Sequence, residues 1–339
     1  MRKATHTVAM PQALKLGEGS LLTGAQLVCE THGELRGQNA IILLHGLSHS
    51  HRAAELPPPQ GYSPHGWAHG LIGPDKVFDP DVDFIVAPNL LGSPFGSTSP
   101  ISKDPHGTPW GARFPELSVA DQARALQALL LGLGVRSAKA VVGYSLGGMV
   151  ALAHAALFPE SVRAVATVCG PAALSESVRR RMGLAKQLLA ADPEFKENAP
   201  GERGVKNAVK RFRLKALRDL YPRDYLLKKY DDLFAAERAL EVEAEAFAEI
   251  FDLDSCAALT RCMASCDVSE GLGAITAKVL VVASGSDELA LPNRMQDTYH
   301  QLSAAGVNTR FFELQSDAGH RAPYLEQARL AAILDDFIR

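Results

Sequence analysis

A serine flanked by glycines is the residue of this chain best suited to chemistry. Residues 143–148 read Gly-Tyr-Ser-Leu-Gly-Gly, which fits the pattern G-x-S-x-G around Ser145. An apolar run at 140–142 precedes the motif, and a helical pattern at 149–158 follows it. A tight strand-to-helix turn needs glycines because a Cβ would clash there, and it directs the hydroxyl and the helix N-terminus to one point. We therefore predict that Ser145 is a nucleophile, in preference to a structural glycine turn.

A serine hydroxyl is a poor nucleophile at neutral pH, so it needs a base, and the base needs an acid that orients it. Asp287 and His320 each follow an apolar run downstream of Ser145, in the order serine, acid, histidine. Glu288 and Asp317 are alternative acids, but Asp287 comes at the end of its strand. We predict that Asp287 and His320 complete a catalytic triad.

Acyl transfer also needs two backbone N–H groups that stabilise the negative oxygen of the tetrahedral intermediate. One comes from the residue after the nucleophile, which is Leu146. The other comes from a loop after an earlier strand, and we assign it to Leu47 because the preceding Gly46 lets the backbone turn toward the site. His45 in the same loop is predicted to be structural.

Short apolar runs alternate with longer helical patterns along most of the chain, which is typical of a parallel sheet covered on both faces. Ser118 and Gly134 bound one of these helices as N-cap and terminator. Most of the apolar runs are continuous, as in buried central strands. The strands predicted in this way are residues 40–44, 84–87, 140–142, 164–168, 279–283 and 309–314.

The alternation stops after residue 171 and resumes near Ile275, and the residues between look helical. The fold class predicted is therefore α/β, with a core formed by residues 1–171 and 274–339 and an inserted helical cap formed by residues 172–273.

The cap carries two stretches of opposite charge. Residues 203–229 contain ten Lys or Arg against two acidic residues, and residues 231–254 contain nine acidic residues against one Arg. We favour two solvated helices that pair through salt bridges. The alternative is that the basic stretch binds a phosphate-bearing ligand.

The composition narrows the class of partner. Lys and Arg number 35 against 38 Asp and Glu, so the net charge of −3 argues against nucleic acid. No apolar run approaches the ~18 residues of a membrane helix, and no apolar core follows the first basic residues as in a secretory signal. We expect a cytoplasmic protein that acts on a small molecule, with no nucleic-acid or membrane partner.

Cysteines and histidines do not predict a metal site. The five cysteines are odd in number and sparse, which fits reduced thiols, and Cys256, Cys262 and Cys266 lack the paired C-x-x-C spacing of zinc ligands. We interpret these three as small core or interface residues in a helix. The histidines of one Pro- and Gly-rich region are interpreted as loop residues, namely His45, His49, His51, His65 and His69.

The motifs together resemble the homoserine O-acetyltransferase family of the α/β-hydrolase superfamily. The resemblance runs in register through residues 39–48, 66–67, 71–76, 89–98, 111–115 and 145–149. It implies an α/β-hydrolase fold, no bound cofactor and a ping-pong reaction in which Ser145 takes an acyl group from acyl-CoA and a hydroxyl-bearing acceptor removes it. His320 is then the base in each half-reaction, and Asp287 holds it. The resemblance also implies a homodimer formed through the cap.

The chain departs from this family at positions that concern the acceptor. The family usually has an aspartate directly after the catalytic histidine, as a partner for the ammonium of homoserine, and here that residue is Arg321. Ala120 stands where the family usually has an arginine, and the cap is shorter. The cap arginine that binds the acceptor's carboxylate has three candidates in this chain, Lys210, Arg211 and Arg213. Arg321 suits a carboxylate and opposes an ammonium, unless its side chain points into solvent.

Three functions fit these residues. The first, which we favour, is an O-acyltransferase whose acceptor is homoserine, serine or a carboxylate-bearing alcohol. The second is a carboxylic-ester hydrolase that uses water as the acceptor. The third is a non-catalytic binding protein of the same fold, which an intact triad disfavours. The first two differ in how well the cap excludes water from the acyl-enzyme.

Overall fold

A mostly parallel sheet forms the centre of the protein. The computed structural model describes residues 3–10, 13–57, 62–182 and 203–339. Ten strands lie in this part of the chain: β1 (Lys3–Ala9), β2 (Leu14–Lys15), β3 (Leu21–Leu22), β4 (Gln26–His32), β5 (Ala40–Leu44), β6 (Phe84–Pro88), β7 (Ala140–Tyr144), β8 (Ala164–Val168), β9 (Lys278–Ser284) and β10 (Thr309–Leu314). Eight of them form one sheet in the order β1-β4-β6-β5-β7-β8-β9-β10. The pairs β1–β4 and β4–β6 are antiparallel, whereas β5 to β10 run parallel to one another.

The six strands predicted from the sequence correspond to β5 to β10, and the prediction of an α/β fold is confirmed. Sequence patterns do not predict β1 to β4. The short strands β2 and β3 have two residues each, and β1 and β4 contain many polar residues. Glu30 and His32 look unsuited to a buried strand, yet both are buried in β4. The Glu30 carboxylate is satisfied there, because it contacts His32 Nε2 and Lys3 Nζ, each at 2.8 Å.

Helices cover the sheet. The α-helices are α1 (Val119–Gly132), α2 (Leu146–Leu157), α3 (Arg203–Leu220), α4 (Arg223–Lys229), α5 (Leu233–Ala248), α6 (Leu253–Ala264), α7 (Pro292–Ala304), α8 (Ala322–Leu325) and α9 (Gln327–Ile338). Residues 176–182 are also helical. The short 3-10 helices are Gly111–Arg113, Pro159–Ser161, Ser269–Ala274 and Gly319–Arg321.

Helix α1 has the ends that the sequence predicts. Ser118 is its N-cap, and its hydroxyl accepts a hydrogen bond from Asp121 N while the Asp121 carboxylate accepts one from Ser118 N. This reciprocal capping box satisfies backbone donors that a helix start would otherwise leave unpaired. Gly134 follows the helix with a positive φ of 79°, a conformation that glycine adopts without strain.

The segment between β8 and β9 contains α3 to α6, so its regular elements in the described residues are helical. Residues 183–202 of the predicted cap lie outside the described residues, and the division of the chain into core and cap domains stays a prediction. The salt-bridge prediction is confirmed, because α3 packs on α5 and, among the described residues, four ion pairs join α3 to α5 or to Glu249 at its end. They are Lys206–Glu249, Lys210–Glu245, Arg213–Glu243 and Arg218–Glu237.

Apolar side chains from both faces of the sheet form one large buried cluster, and a second cluster lies among α3, α4 and α5. All five cysteines are buried and free. Cys256 and Cys262 lie in α6 as predicted, whereas Cys266 follows the end of this helix. Within the described ranges, no helix combines the length and apolar character needed to cross a bilayer.

Two leucines of α1 test the packing of this helix on the core. Leu126 is 2% exposed, whereas Leu131 is 56% exposed. Leu126→Ala leaves a cavity, and we expect it to lower the free energy of unfolding by about 2–5 kcal/mol. Leu131→Ala is the matched control and should change it by less than ~0.5 kcal/mol. Urea unfolding followed by circular dichroism measures both, and equal losses would contradict the packing described here.

Candidate active site

Ser145 lies at the turn between β7 and α2 in a strained conformation, with φ 55° and ψ −121°. The flanking glycines are sterically required. A Cβ on Gly143 would lie 2.0 Å from Gly147 O, and a Cβ on Gly147 would lie 2.2 Å from Leu44 O. Such distances leave no room for any side chain. The prediction of a strand-to-helix turn around Ser145 is therefore confirmed.

The structure brings Ser145, His320 and Asp287 into one chain of hydrogen bonds. Ser145 Oγ lies 2.8 Å from His320 Nε2, and His320 Nδ1 lies 2.7 Å from Asp287 Oδ2. The other Asp287 oxygen accepts hydrogen bonds from Leu289 N and Ala290 N, at 2.8 and 2.9 Å. The carboxylate accepts a hydrogen bond from Nδ1–H, so Nε2 is free to accept the serine proton. This arrangement can activate Ser145 for attack on a carbonyl carbon.

The loops that carry His320 and Asp287 are tied to each other. Ser284 Oγ donates a hydrogen bond to Gly319 O at 2.7 Å, and Gly319 N donates one to Ser286 Oγ at 3.0 Å. Gly319 has a positive φ of 61°, and a Cβ there would lie 2.4 Å from Pro222 Cδ. The position of His320 therefore depends on contacts with Ser284 of β9, with Ser286 after it and with the segment between α3 and α4.

The two alternative acids lie away from His320. Asp317 is half exposed, and its Oδ2 accepts a hydrogen bond from Lys228 Nζ at 2.5 Å. Glu288 is exposed. Asp287 is therefore the acid that contacts the imidazole, as the sequence order indicates.

The segment from His45 to Leu47 runs alongside the serine. A Cβ on Gly46 would lie 3.4 Å from Ser145 Cβ, so the small residue allows this close approach. His45 Nδ1 donates to Gly46 O at 2.8 Å and its Nε2 accepts from Leu90 N at 3.1 Å. Burial lowers the pKa of His45 to about 4, so the ring is neutral and holds the loop. The donor roles of Leu47 and Leu146 stay predictions.

Tyr144 contacts His320, although sequence patterns do not assign it to the site. Its hydroxyl donates a hydrogen bond to His320 O at 2.6 Å, and its ring stacks on the imidazole with 5.4 Å between centroids. The only signal in the sequence was its position as the variable residue before the serine of the motif.

Cys169 is a second unassigned neighbour of the triad. It is buried with a positive φ of 51°, and its Sγ lies with the Asp287 and His320 side chains in the one potential metal-binding group among the described residues. Burial and the neighbouring Asp287 raise the pKa of the Cys169 thiol, which disfavours the thiolate that a metal requires. Because Asp287 and His320 are already hydrogen-bonded to each other, we assign no metal to this group.

A cavity of about 130 Å³ opens over the serine. Ser145, His320 and Leu47 line one side, and residues of α3 and α6 line the other.

The basic residues predicted to bind substrate divide into two groups. Arg213 and Arg321 are buried and line the cavity, whereas Arg211 is exposed and Lys210 pairs with Glu245 at 2.7 Å outside it. The Glu243 carboxylate lies 2.8 Å from Arg213 Nη2 and 4.0 Å from Arg321 Nη1. Arg321 therefore does not point into solvent.

Comparison with known proteins places this chain in a family. A family described as having the alpha/beta hydrolase fold matches residues 39–327. The homoserine O-acetyltransferase of Thermus thermophilus is 32% identical, with 94% of this chain and 87% of that protein covered. The homoserine O-succinyltransferase of Burkholderia pseudomallei is also 32% identical, with 96% and 93% covered.

Solved structures agree on the fold. A homoserine O-acetyltransferase from Bacillus anthracis superposes with a TM-score of 0.90 at 20% identity, covering 100% of this chain and 98% of that one. Esterase E22 superposes with a TM-score of 0.88 at 20% identity, covering 100% of both chains. These likenesses confirm the α/β-hydrolase fold, which serves both transferases and esterases.

A methyl group added at the turn should be poorly tolerated. Gly147→Ala places a Cβ against main-chain atoms of Leu44 and His45 that no side-chain rotation can relieve. We expect it to lower the free energy of unfolding by about 1–3 kcal/mol or more. Gly273→Ala is the control, since its Cβ would make an ordinary 3.8 Å contact with Ala305 Cβ. Thermal unfolding of both variants tests this, and an unchanged Tm for Gly147→Ala would contradict the steric account.

Proposed function

The chain belongs to the homoserine O-acetyltransferase family of the α/β-hydrolases, and from this premise we propose that it moves an acyl group from acyl-CoA to the hydroxyl of a small acceptor. The acceptor is homoserine, serine or a carboxylate-bearing alcohol. The observation that carries the proposal is the hydrogen-bonded chain from Ser145 through His320 to Asp287 at the edge of a small cavity.

The first half-reaction acylates the serine. His320 Nε2 accepts the Ser145 proton while Oγ forms a bond to the thioester carbonyl carbon. The N–H groups of Leu146 and Leu47 stabilise the negative oxygen. The carbon–sulfur bond then breaks, and the sulfur of coenzyme A leaves with the proton that His320 returns. Asp287 keeps Nδ1 protonated and stabilises the imidazolium.

The second half-reaction regenerates the enzyme. His320 accepts the proton of the acceptor's hydroxyl, whose oxygen forms a bond to the acyl carbon. The bond to Ser145 Oγ breaks, and the serine recovers its proton from His320. The acyl-enzyme must persist until the alcohol arrives, and burial of both Ser145 and His320 favours this by limiting access of water.

Product analysis distinguishes the transferase from the hydrolase. The protein is mixed with acetyl-, propionyl- or succinyl-coenzyme A, with and without homoserine, serine and 4-hydroxybutyrate, and the products are identified by mass spectrometry. Transfer yields an O-acyl ester that depends on the alcohol. Free acid formed at the same rate with and without alcohol would instead identify a hydrolase. Release of no coenzyme A from any donor would contradict the proposed acyl transfer.

The role of Ser145 is tested by removing its hydroxyl. Ser145→Ala should form no acyl-enzyme and should lose several orders of magnitude in turnover, since the nucleophile is absent. Intact-protein mass spectrometry after challenge with a thioester detects the adduct. Ser303→Ala, at an exposed position on α7, is the control and should acylate like the unaltered protein. A stable adduct on Ser145→Ala would place the nucleophile elsewhere.

The acid is tested by comparing two aspartates. Asp287→Asn should keep the fold yet lower kcat by a factor of order 10⁴, because it favours the wrong imidazole tautomer. Asp317→Asn should have little effect, since Asp317 pairs with Lys228 at the surface. Steady-state kinetics measures both variants. Near-normal turnover of Asp287→Asn would transfer the role to Glu288 or Asp317.

A further inference from the structure

We infer, on the basis of the proposed function, that the cavity binds a carboxylate between Arg213 and Arg321 and that this end of the substrate carries no ammonium group. The carboxylate belongs either to the acceptor, as in a hydroxy acid, or to the acyl group, as in a dicarboxylic thioester. Binding measurements with acceptors and with donors distinguish these two sources.

Two buried arginines share one carboxylate at the cavity. Arg213 is 3% exposed and Arg321 is 7% exposed, and Glu243 is the acid that lies against both. Burial opposes ionisation of Glu243, but Arg321 and Arg213 hold its pKa below the ordinary glutamate value. Glu243 is therefore an anion at neutral pH, and it compensates only one of the two guanidinium charges.

The other charges at the cavity do not supply the missing anion. Arg181 and Asp219 pair with each other at 3.2 Å, and Lys215 adds a further positive charge. His49 is buried nearby, and burial together with Arg321 holds its pKa well below the ordinary value, so its ring is neutral. The described lining of the cavity thus has an excess of positive charge.

The Arg321 guanidinium group donates no hydrogen bond to a described residue, and its one ion-pair contact there is the 4.0 Å approach of Nη1 to Glu243. Buried charged donors are rarely left unpaired, because no new hydrogen bond then offsets the free-energy cost of removing their hydration. A carboxylate provides several acceptor sites on two oxygens, which is the complement of guanidinium edges.

Aromatic rings hold the guanidinium groups in place. Arg321 lies over Tyr324 with 4.6 Å to the ring centroid, and Arg213 lies over Phe247 with 4.7 Å. Stacking of this kind covers the face of a guanidinium group but leaves the N–H groups at its edge available. The site is therefore oriented before a ligand arrives, which lowers the entropy cost of binding.

An ammonium group is unsuited to this site. It would approach two guanidinium groups, and Glu243 is already shared between them. Like charges brought close together in a buried site repel each other strongly. The substrate class is therefore an alcohol or acyl group that ends in a carboxylate without an adjacent amine.

The test measures binding to the Ser145→Ala protein, which keeps the cavity but lacks the nucleophile. Isothermal titration calorimetry compares 4-hydroxybutyrate with 1-butanol and homoserine as acceptors, and succinyl-coenzyme A with butyryl-coenzyme A as donors. We expect the carboxylate-bearing member of one set to bind roughly ten- to a hundredfold more tightly than its neutral or amino-bearing counterpart. The set that shows the preference identifies the source. No preference in either set would overturn the inference.

Variants of Arg321 test the site itself in the same Ser145→Ala background. Arg321→Gln should remove the preference, and Arg321→Asp should shift it toward homoserine. Arg218→Gln, at an exposed ion pair on α3, is the matched control and should keep the preference. A full preference in Arg321→Gln would overturn the inference. The turnover of the unaltered protein separates the two proposals. If the protein binds the carboxylate but transfers no acyl group, only the proposed function is contradicted. If it transfers an acyl group but shows no preference for a carboxylate, only this inference is contradicted.

Discussion

The hydrogen bonds of His320 join three separate parts of the chain, and their short distances require the sheet to bring all three parts together. Ser145 follows β7, Asp287 follows β9 and His320 follows β10, and these strands run parallel in the sheet. Parallel strands deliver the loops after them to the same edge. The spacing of 2.7 and 2.8 Å along the triad thus depends on the sheet being assembled in this order.

The same constraint explains the strain at the serine. The Ser145 hydroxyl lies at the carboxyl edge of the sheet because of three features. They are the positive φ of Ser145, the two glycines without room for a Cβ, and the close approach of Gly46 to Ser145. Strain of this kind persists only where the surrounding structure enforces it. Buried strands β5, β7 and β8 supply that rigidity.

The sequence predicted those parts of the fold and site whose signals are local. A few neighbouring residues are enough to predict each of these features. They are the motif around Ser145, the continuous apolar strands and the helix N-cap at Ser118. Strands β1 and β4 were not predicted, because Glu30 and His32 become compatible with burial only through partners that folding brings to them. Arg321 was noted from its place beside His320, but Glu243 was not, since their proximity depends on how α5 packs.

The measurement that tests the central claim most directly is the initial-rate pattern with both substrates varied. An acyl-enzyme on Ser145 requires coenzyme A to leave before the alcohol reacts. Double-reciprocal plots against acyl-CoA at several fixed alcohol concentrations should therefore give parallel lines, with the ester as product. Lines that intersect would mean that both substrates must be bound together before reaction, and they would contradict the account.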